Sequence, residues 1–512
     1  MEEADNRKRI VRNMLMLYLR MLFNVVVSLV ISRLILNALG VEDFGIYNVV
    51  GAVVVLFTFL NSAMASSTQR FLTFEIGRKN QERLHKVFST SILIHALIAA
   101  VILVLAETVG LWLFYSKMVI PQERMQAAMW VYQLSVLSSL VTIMSVPYNS
   151  AIIAREKMDV FAYISMLEVS LRLVVVVALS FAAGDRLMVY AFLLFMVSLL
   201  IRGIYMVYCR RNIPETRFVF VWDGKLFSEM LHFAGWSMFG NLAYVGYTQG
   251  VNILLNIFFG PVVNAARAIA VQVQGTIINF CNSFQTALNP QITKSFAAGE
   301  RQYMNSLLLG SSKFSYLLLL LMALPLMIET PQVLVIWLKI VPDHTVSFLR
   351  IILMVTMVDV LANPLITLAQ ATGKIRRYQI VVGGALLMIV PSAYIALKLG
   401  GSPESVFVVH LCLAIVAQVL RLWLLRGLVG ISLKKYLRSV VLPLVYVTAL
   451  SVIPPLVVYN RMEASLWRLV CVVVVSCLSV LLFGYAMGLS EGERGFVKNK
   501  VKHIKERIRC FR

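Results

Sequence analysis

Runs of roughly twenty apolar residues recur about fourteen times along this 512-residue chain, and a helix needs a run of that length to cross the hydrocarbon of a bilayer. The runs centre near Val26, Leu56, Ala100, Leu140, Val175, Met196, Tyr244, Val273, Leu319, Thr356, Leu386, Ile415, Val447 and Val475. They lack the polar–apolar alternation of barrel strands, so the helix is the spanning structure that satisfies their backbone hydrogen bonds. Composition agrees: 60% of residues are hydrophobic and 14% charged, against about 45–50% and about 25% in a soluble domain. The expected fold is an all-α polytopic membrane protein with little chain left for a soluble domain. The charged start (Arg7, Lys8, Arg9, Arg12) leads into apolar sequence up to about Leu39. That run is too long for a signal-peptide core and ends in no small-residue cleavage site, so an uncleaved first span is expected.

The formal net charge is +22. In a soluble chain this would point to nucleic acid, but no basic stripe interleaves with stacking aromatics, and a nucleic-acid partner is excluded. The basic residues sit instead in short loops. With the N-terminus placed in the cytoplasm and the spans alternated, inner segments such as Arg78–Lys86, Arg155–Lys157, Arg210–Lys225 and Lys374–Arg377 hold, with the termini, roughly 32 Lys/Arg. The outer loops hold about six, namely Lys117, Arg124, Arg186, Lys339, Lys398 and Arg461. That bias predicts both termini in the cytoplasm. Trp112, Trp130, Trp337 and Trp467 fall at outer span ends, and Trp236 and Trp423 at inner ends, as aromatic belts require. The six cysteines form no CxxC pair and the six histidines have no ligand spacing, so no metal is expected. No nucleotide-binding G-x-x-x-x-G-K-[ST] occurs either.

The chain also repeats itself. Gly40 follows the first span and Gly260 the seventh; Phe71 and Gly77 are echoed by Phe296 and Gly299. Pro147, Lys157 and Phe161 return as Pro364, Lys374 and Tyr378, both reading P-x9-K-x3-[FY]. Offsets near 220 residues predict two six-helix halves over 1–215 and 216–430. An even number of spans gives both halves one orientation, the parallel kind of transporter repeat. Helices 13 and 14 (431–490) fall outside the repeat. The tail (491–512) reads as a basic amphipathic cytoplasmic helix, with Phe496, Val501, Ile504, Ile508 and Phe511 on one face.

Charged and amide side chains inside the spans need a reason, because each is costly in hydrocarbon. Glu168 and Arg172 are four residues apart and share a helix face. They read either as a structural ion pair or as a cavity arginine with an acid that orients it or carries a proton. Asp359, four before Asn363, has no basic partner in its own helix and reads as a second ion-coupling candidate, for H+ or Na+. Arg20 and Arg33 lie within span one, either in the cavity or snorkelling to the interface. Arg202, Lys313, Arg350 and Arg421 are nearer span ends, where snorkelling is the expectation. Span eight carries Asn264, Arg267, Gln272, Gln274, Asn279, Asn282, Gln285 and Asn289, and span seven carries Asn241, Gln249, Asn252 and Asn256. Amides tie helices together, but this many suits a wet cavity that hydrogen-bonds sugar hydroxyls. Arg172, Arg267, Arg33, Arg20, Gln274, Asn282, Gln285 and Asn252 are therefore the cargo-binding candidates. Guanidinium forks bind phosphate bidentately, so a cationic, amide-rich cavity predicts an anionic, hydroxylated cargo.

Ser32-Arg33 leading into Leu39-Gly40-Val41-Glu42-Asp43-Phe44-Gly45-Ile46-Tyr47, and the stretch from Ala265-Ala266-Arg267 to Asn289-Pro290-Gln291, resemble the polysaccharide transporter family of the multidrug/oligosaccharidyl-lipid/polysaccharide exporter superfamily. The resemblance extends over essentially the whole chain and is nearest to Wzx-type O-antigen flippases. It implies a MATE-like pair of lobes around a central cavity lined by cationic residues. It also implies transfer of undecaprenyl-pyrophosphate-linked oligosaccharide to the outer leaflet for lipopolysaccharide or other surface polysaccharide, with a polysaccharide polymerase and co-polymerase as partners. No cofactor is implied beyond a coupling ion. The alternatives are a MATE-type drug/cation antiporter, or a polytopic polymerase or ligase. The latter would want a large outer loop, and the longest here, about 329–345, offers one histidine, His344.

Overall fold

The computed structural model describes residues 2–57, 59–117, 120–179, 181, 184–219, 222–338 and 341–495; side chains at 2–11, 29, 32–33, 36, 41–42, 44–45, 48–49, 51–57, 59–60, 62, 117 and 261 lie outside that description. Every regular element among the described residues is helical. In the first half these are α1 (Glu2–Phe57), α2 (Phe59–Arg78), α3 (Gln81–Leu105), α4 (Leu111–Lys117), α5 (Met125–Ile143), α6 (Val146–Ala154), α7 (Met158–Leu179) and α8 (Arg186–Asn212). The second half has α9 (Gly224–Ala297), α10 (Arg301–Ile328), α11 (Thr330–Leu338), α12 (Thr345–Asp359), α13 (Ala362–Ala371), α14 (Arg376–Leu387), α15 (Ile389–Lys398) and α16 (Glu404–Val429). α17 (Leu433–Tyr436), α18 (Leu442–Arg461) and α19 (Leu466–Phe483) complete the chain. Eleven helical segments are long and apolar enough to cross a membrane, fewer than the fourteen expected. The other three expected spans fall on 2–57, 59–78 and 261–297, which are helical but do not meet those limits of length and apolarity among the described residues. The 261–297 stretch carries the amide-rich sequence that lowers its apolarity. The expected tail helix lies outside the described residues from 496 on.

Contacts divide the chain into two compact units, Met1–Asn241 with Thr286–Glu300, and Leu242–Gln285 with Arg301–Arg512. In the first, α1 packs along α7, α5 along α8, and α2 against α3 and α6. Its core gathers Val50, Phe114, Val131, Tyr132 and Leu187. The Tyr132 hydroxyl donates to the Ala106 carbonyl at 2.7 Å, at the start of a π-helical turn (Ala106–Gly110) whose Leu111 N–H reaches the same oxygen. In the second unit α12 lies on α16, α18 on α19, and α10 on α19. There Arg468 grips Glu329 with two hydrogen bonds (2.8 and 3.0 Å) and stacks over Tyr459.

Left-handed backbone positions recur at the offset of the sequence repeat. Gly40 and Gly260 both have φ +80 and an extended ψ, a combination only glycine adopts freely, and each folds its helix back within one residue. Lys79 pairs in this way with Gly299, Glu156 with Gly373, and Gly184 with Gly400. Helix breaks recur too. α5 gives way to α6 at Met144–Ser145, just before Pro147, and α12 to α13 at Val360–Leu361, just before Pro364. Proline lacks the N–H that would reach the carbonyl four residues back. For Pro364 that carbonyl belongs to Val360, and the Gln285 amide fills the vacancy at 3.2 Å.

Two of the snorkelling expectations are corrected. Lys313 is buried and held by Glu493, and Arg421 is buried and donates to Gln418 at 3.3 Å. Burial in helix contacts, with a partner nearby, competed better than the reach to the interface.

Candidate functional site

In the first unit a polar seam runs between α1 and α7. Arg20 is half-buried, its guanidinium 4.6 Å over the Phe161 ring, and its Nε has no hydrogen-bond partner. One turn on, Asn24 donates to Ser165 at 3.1 Å. Arg172 and Glu168 pair at 2.6 Å along α7, as their spacing predicts, and the Arg172 side chain is 52% exposed. A charged side chain is costly in hydrocarbon, and its pairing with Glu168 offsets part of that cost. Tyr47 and Tyr190, stacked edge to face at 5.0 Å, feel the Arg172 charge. The Arg33 side chain lies outside the described residues.

In the second unit the two arms of α9 carry the amides. Arg267 is 9% exposed; it donates to Asn252 Oδ1 at 3.1 Å and to the Thr248 carbonyl at 2.8 Å, and its Nε is unpartnered. Both of these acceptors are neutral. Gln249, Asn256, Gln272, Asn279 and Asn282 are exposed, and Gln274 donates to Thr356 at 2.9 Å. Gln285 departs from the expectation of cavity lining. It is buried, donates to Ser315 and Val360, and accepts from Asn363, so its amide ties α9 to α10 and to the α12–α13 break. The vacancy at Pro364 is the sequence signal that could have revealed this.

Asp359 ends α12 at that break and is half-buried, with no ion pair within 4 Å among the described residues. Arg421 on α16 acts on it electrostatically. Sequence reasoning placed Arg421 at an interface and so missed it, along with His410 of α16, which sits edge-on to Tyr247 at 5.1 Å. The structure thus gathers Arg20, Asn24, Glu168 and Arg172 along one seam, and Arg267 with Asn252 along another. Among the described residues no His, Cys, Asp or Glu cluster could hold a metal.

A family profile described as "Polysaccharide biosynthesis protein" matches residues 10–296, more than half of the chain. The chain belongs to that family. No curated protein matches it significantly in sequence. Among solved structures it is similar to a MATE transporter in the straight conformation (TM-score 0.71, 14% identity, 83% of this chain and 97% of that one). It is also similar to a multidrug-resistance MATE family transporter of the MOP superfamily in an outward-facing conformation (0.70, 14%, 82% and 95%). A third is a MOP superfamily transporter from Pyrococcus furiosus, for which a reversed polarity of the binding pocket is taken to suggest a different function (0.69, 14%, 83% and 96%). At such identity the likeness establishes the fold alone, and that fold is MATE-like. This polysaccharide biosynthesis family member is a multi-pass membrane protein with a MATE-like fold.

Proposed function

We propose that this protein flips lipid-linked oligosaccharide, carried on a polyprenyl pyrophosphate such as undecaprenyl pyrophosphate, from the inner to the outer leaflet of the bacterial plasma membrane. Both termini are cytoplasmic in this reading. The observation that supports it best is the half-exposed Arg172 guanidinium inside α7. It offers a hydrogen-bonding cation with donors beyond those that meet Glu168, suited to a phosphate-bearing or otherwise anionic cargo. Arg20, Arg267 and Asn252 add charge and acceptors, and the exposed amides of α9 suit sugar hydroxyls. Gln274 and Asn282 belong to that amide set. The lipid tail stays in the bilayer while the head crosses by alternating access, with Glu168 or Asp359 taking up the coupling proton or sodium ion. Partner polymerases and co-polymerases would receive the flipped product.

The test uses the purified protein in proteoliposomes, with a fluorescent oligosaccharide on polyprenyl pyrophosphate and, separately, an organic-cation dye. Flipping of the glycolipid without dye transport is the expected result. Dye transport without glycolipid flipping would replace the proposal with a MATE-type cation antiporter.

A further inference from the structure

Glu156 occupies a position that the repeat fills with Gly373: both are left-handed residues nine after the proline, at φ +59 and φ +75. The local motif explains the conformation. Glu156 N donates to the Ile153 carbonyl at 2.9 Å and Lys157 N to the Ile152 carbonyl at 3.1 Å, the double bond that closes a helix over a left-handed residue. Glycine is the residue suited to that site. A glutamate there accepts backbone strain, and this one is also fully buried. Its carboxylate accepts from Gln291 Nε2 and from Lys294 Nζ, both at 2.5 Å, on the last turns of α9 more than 130 residues away. Its backbone carbonyl accepts from Asn13 of α1 at 3.0 Å.

The same turns of α9 are seated closely on α2. A Cβ on Gly77 would fall 2.6 Å from the Lys294 carbonyl, and Phe74 meets Phe296 with centroids 6.4 Å apart. Leu17 of α1, Met158 and Ala287 form a small dry core beside them. All of these residues fall in the first compact unit, although the α9 turns belong to the second half of the sequence.

We propose that Glu156 is a latch residue of the transport cycle: its carboxylate fastens the inner end of α9 to the α6–α7 loop, which its backbone carbonyl ties to Asn13 of α1, and must release Gln291 and Lys294 for cargo to enter from the cytoplasm. This rests on the flippase reading for direction and cargo. The physical reasoning is independent of it. A charged hydrogen bond in a dry contact is strong while made and costly to leave unpaired, which gives a joint two distinct states. The strained backbone favours neither burial nor stability for its own sake, and such strain collects at sites that move.

The experiment places Ser295→Cys, a buried position on the α9 turns, in a chain with its native cysteines replaced. A membrane-impermeant maleimide is then applied to inside-out vesicles. Removing the carboxylate by Glu156→Gly, which relieves the backbone strain, should speed labelling by about tenfold or more, the scale of one lost charged hydrogen bond. Lys294→Met should do the same should the glycine variant fold poorly. The reversed pair Glu156→Lys with Lys294→Glu should return labelling toward the parent rate. Parent-rate labelling in both single variants, or a reversed pair as fast as they are, overturns the latch. Labelling needs no cargo, so its failure leaves the flipping assay to judge the flippase proposal by itself.

Discussion

Replacing Arg172 with alanine separates a cargo contact from a structural ion pair, because the effects expected of the two readings differ at least several-fold. A guanidinium has five N–H donors. Nη2 contacts Glu168 at 2.6 Å, and the side chain is 52% exposed, so donors remain for a ligand. Losing one charge-assisted hydrogen bond to a phosphate costs about 1.5–3 kcal/mol, or roughly 12- to 150-fold in cargo affinity. If the pair only braces α7, the loss is that of an exposed i, i+4 pair, about 0.3–0.5 kcal/mol, or roughly twofold. The assay is the initial rate of glycolipid flipping in proteoliposomes at limiting cargo, with the melting temperature followed alongside. The expected result is a rate lower by at least tenfold with an unchanged melting temperature, and a partial recovery in Arg172→Lys, which keeps the charge but loses the fork. Flipping within twofold of the parent in Arg172→Ala refutes the reasoning.

Glu329→Gln breaks the buried bidentate contact with Arg468 and should lower stability by about 3–5 kcal/mol, seen as a marked drop in melting temperature by fluorescence-detected size exclusion. Gln285→Ala leaves the Val360 carbonyl and the Asn363 amide without their partner; a loss of about 1–3 kcal/mol is expected, and an unchanged melting curve would show that the break at Pro364 satisfies itself another way. Gly260→Ala meets no neighbouring atom within 4 Å, so its expected cost of about 1–3 kcal/mol, read as a lowered melting temperature, is backbone strain alone. Glu493 is partly buried, which alone would raise its carboxyl, but hydrogen bonds from Lys313 and Ser490 hold it below the usual glutamate range. A lowered carboxyl contributes stability above its unfolded value that is lost as pH falls through the folded one. Melting temperature should therefore fall on acidification in the parent and fall less in Glu493→Gln.

The helical membrane fold was legible because hydrophobicity is additive along a run: no tertiary contact is needed to know that such segments shun water. The repeat was legible for a related reason. Gly40, Gly260, Pro147 and Pro364 impose backbone consequences locally, and the structure places left-handed residues and helix breaks where those letters stand. The pair Glu168–Arg172 was likewise readable from spacing within one helix. What spacing could not supply was the environment across helices. Gln285 and Gln274 are the same residue type on one helix, yet one is buried at a broken helix and the other half-buried against Thr356. Arg421 looked interfacial by its distance from the span end, and burial on α16 decides otherwise.

The comparison of the two halves carries the argument one step further. A left-handed position after a broken helix stands in each half of the sequence, at Glu156 and at Gly373. In the second half it holds Gly373, the residue the backbone itself prefers. In the first half it holds Glu156, less suited to the backbone and burdened with a charge that has to find Gln291 and Lys294 to be tolerated in a dry contact. If holding the helices together were the whole task, glycine at 156 with an apolar contact to α9 would do it at lower cost, since buried ion pairs rarely outperform apolar packing in stability. A charged contact differs from an apolar one in what happens when it opens. Water can rehydrate both partners, so a broken joint is a distinct state rather than a gradual loosening. The asymmetry between Glu156 and Gly373 is therefore best accounted for by a joint that has to part, and the labelling rate at position 295 measures whether it does.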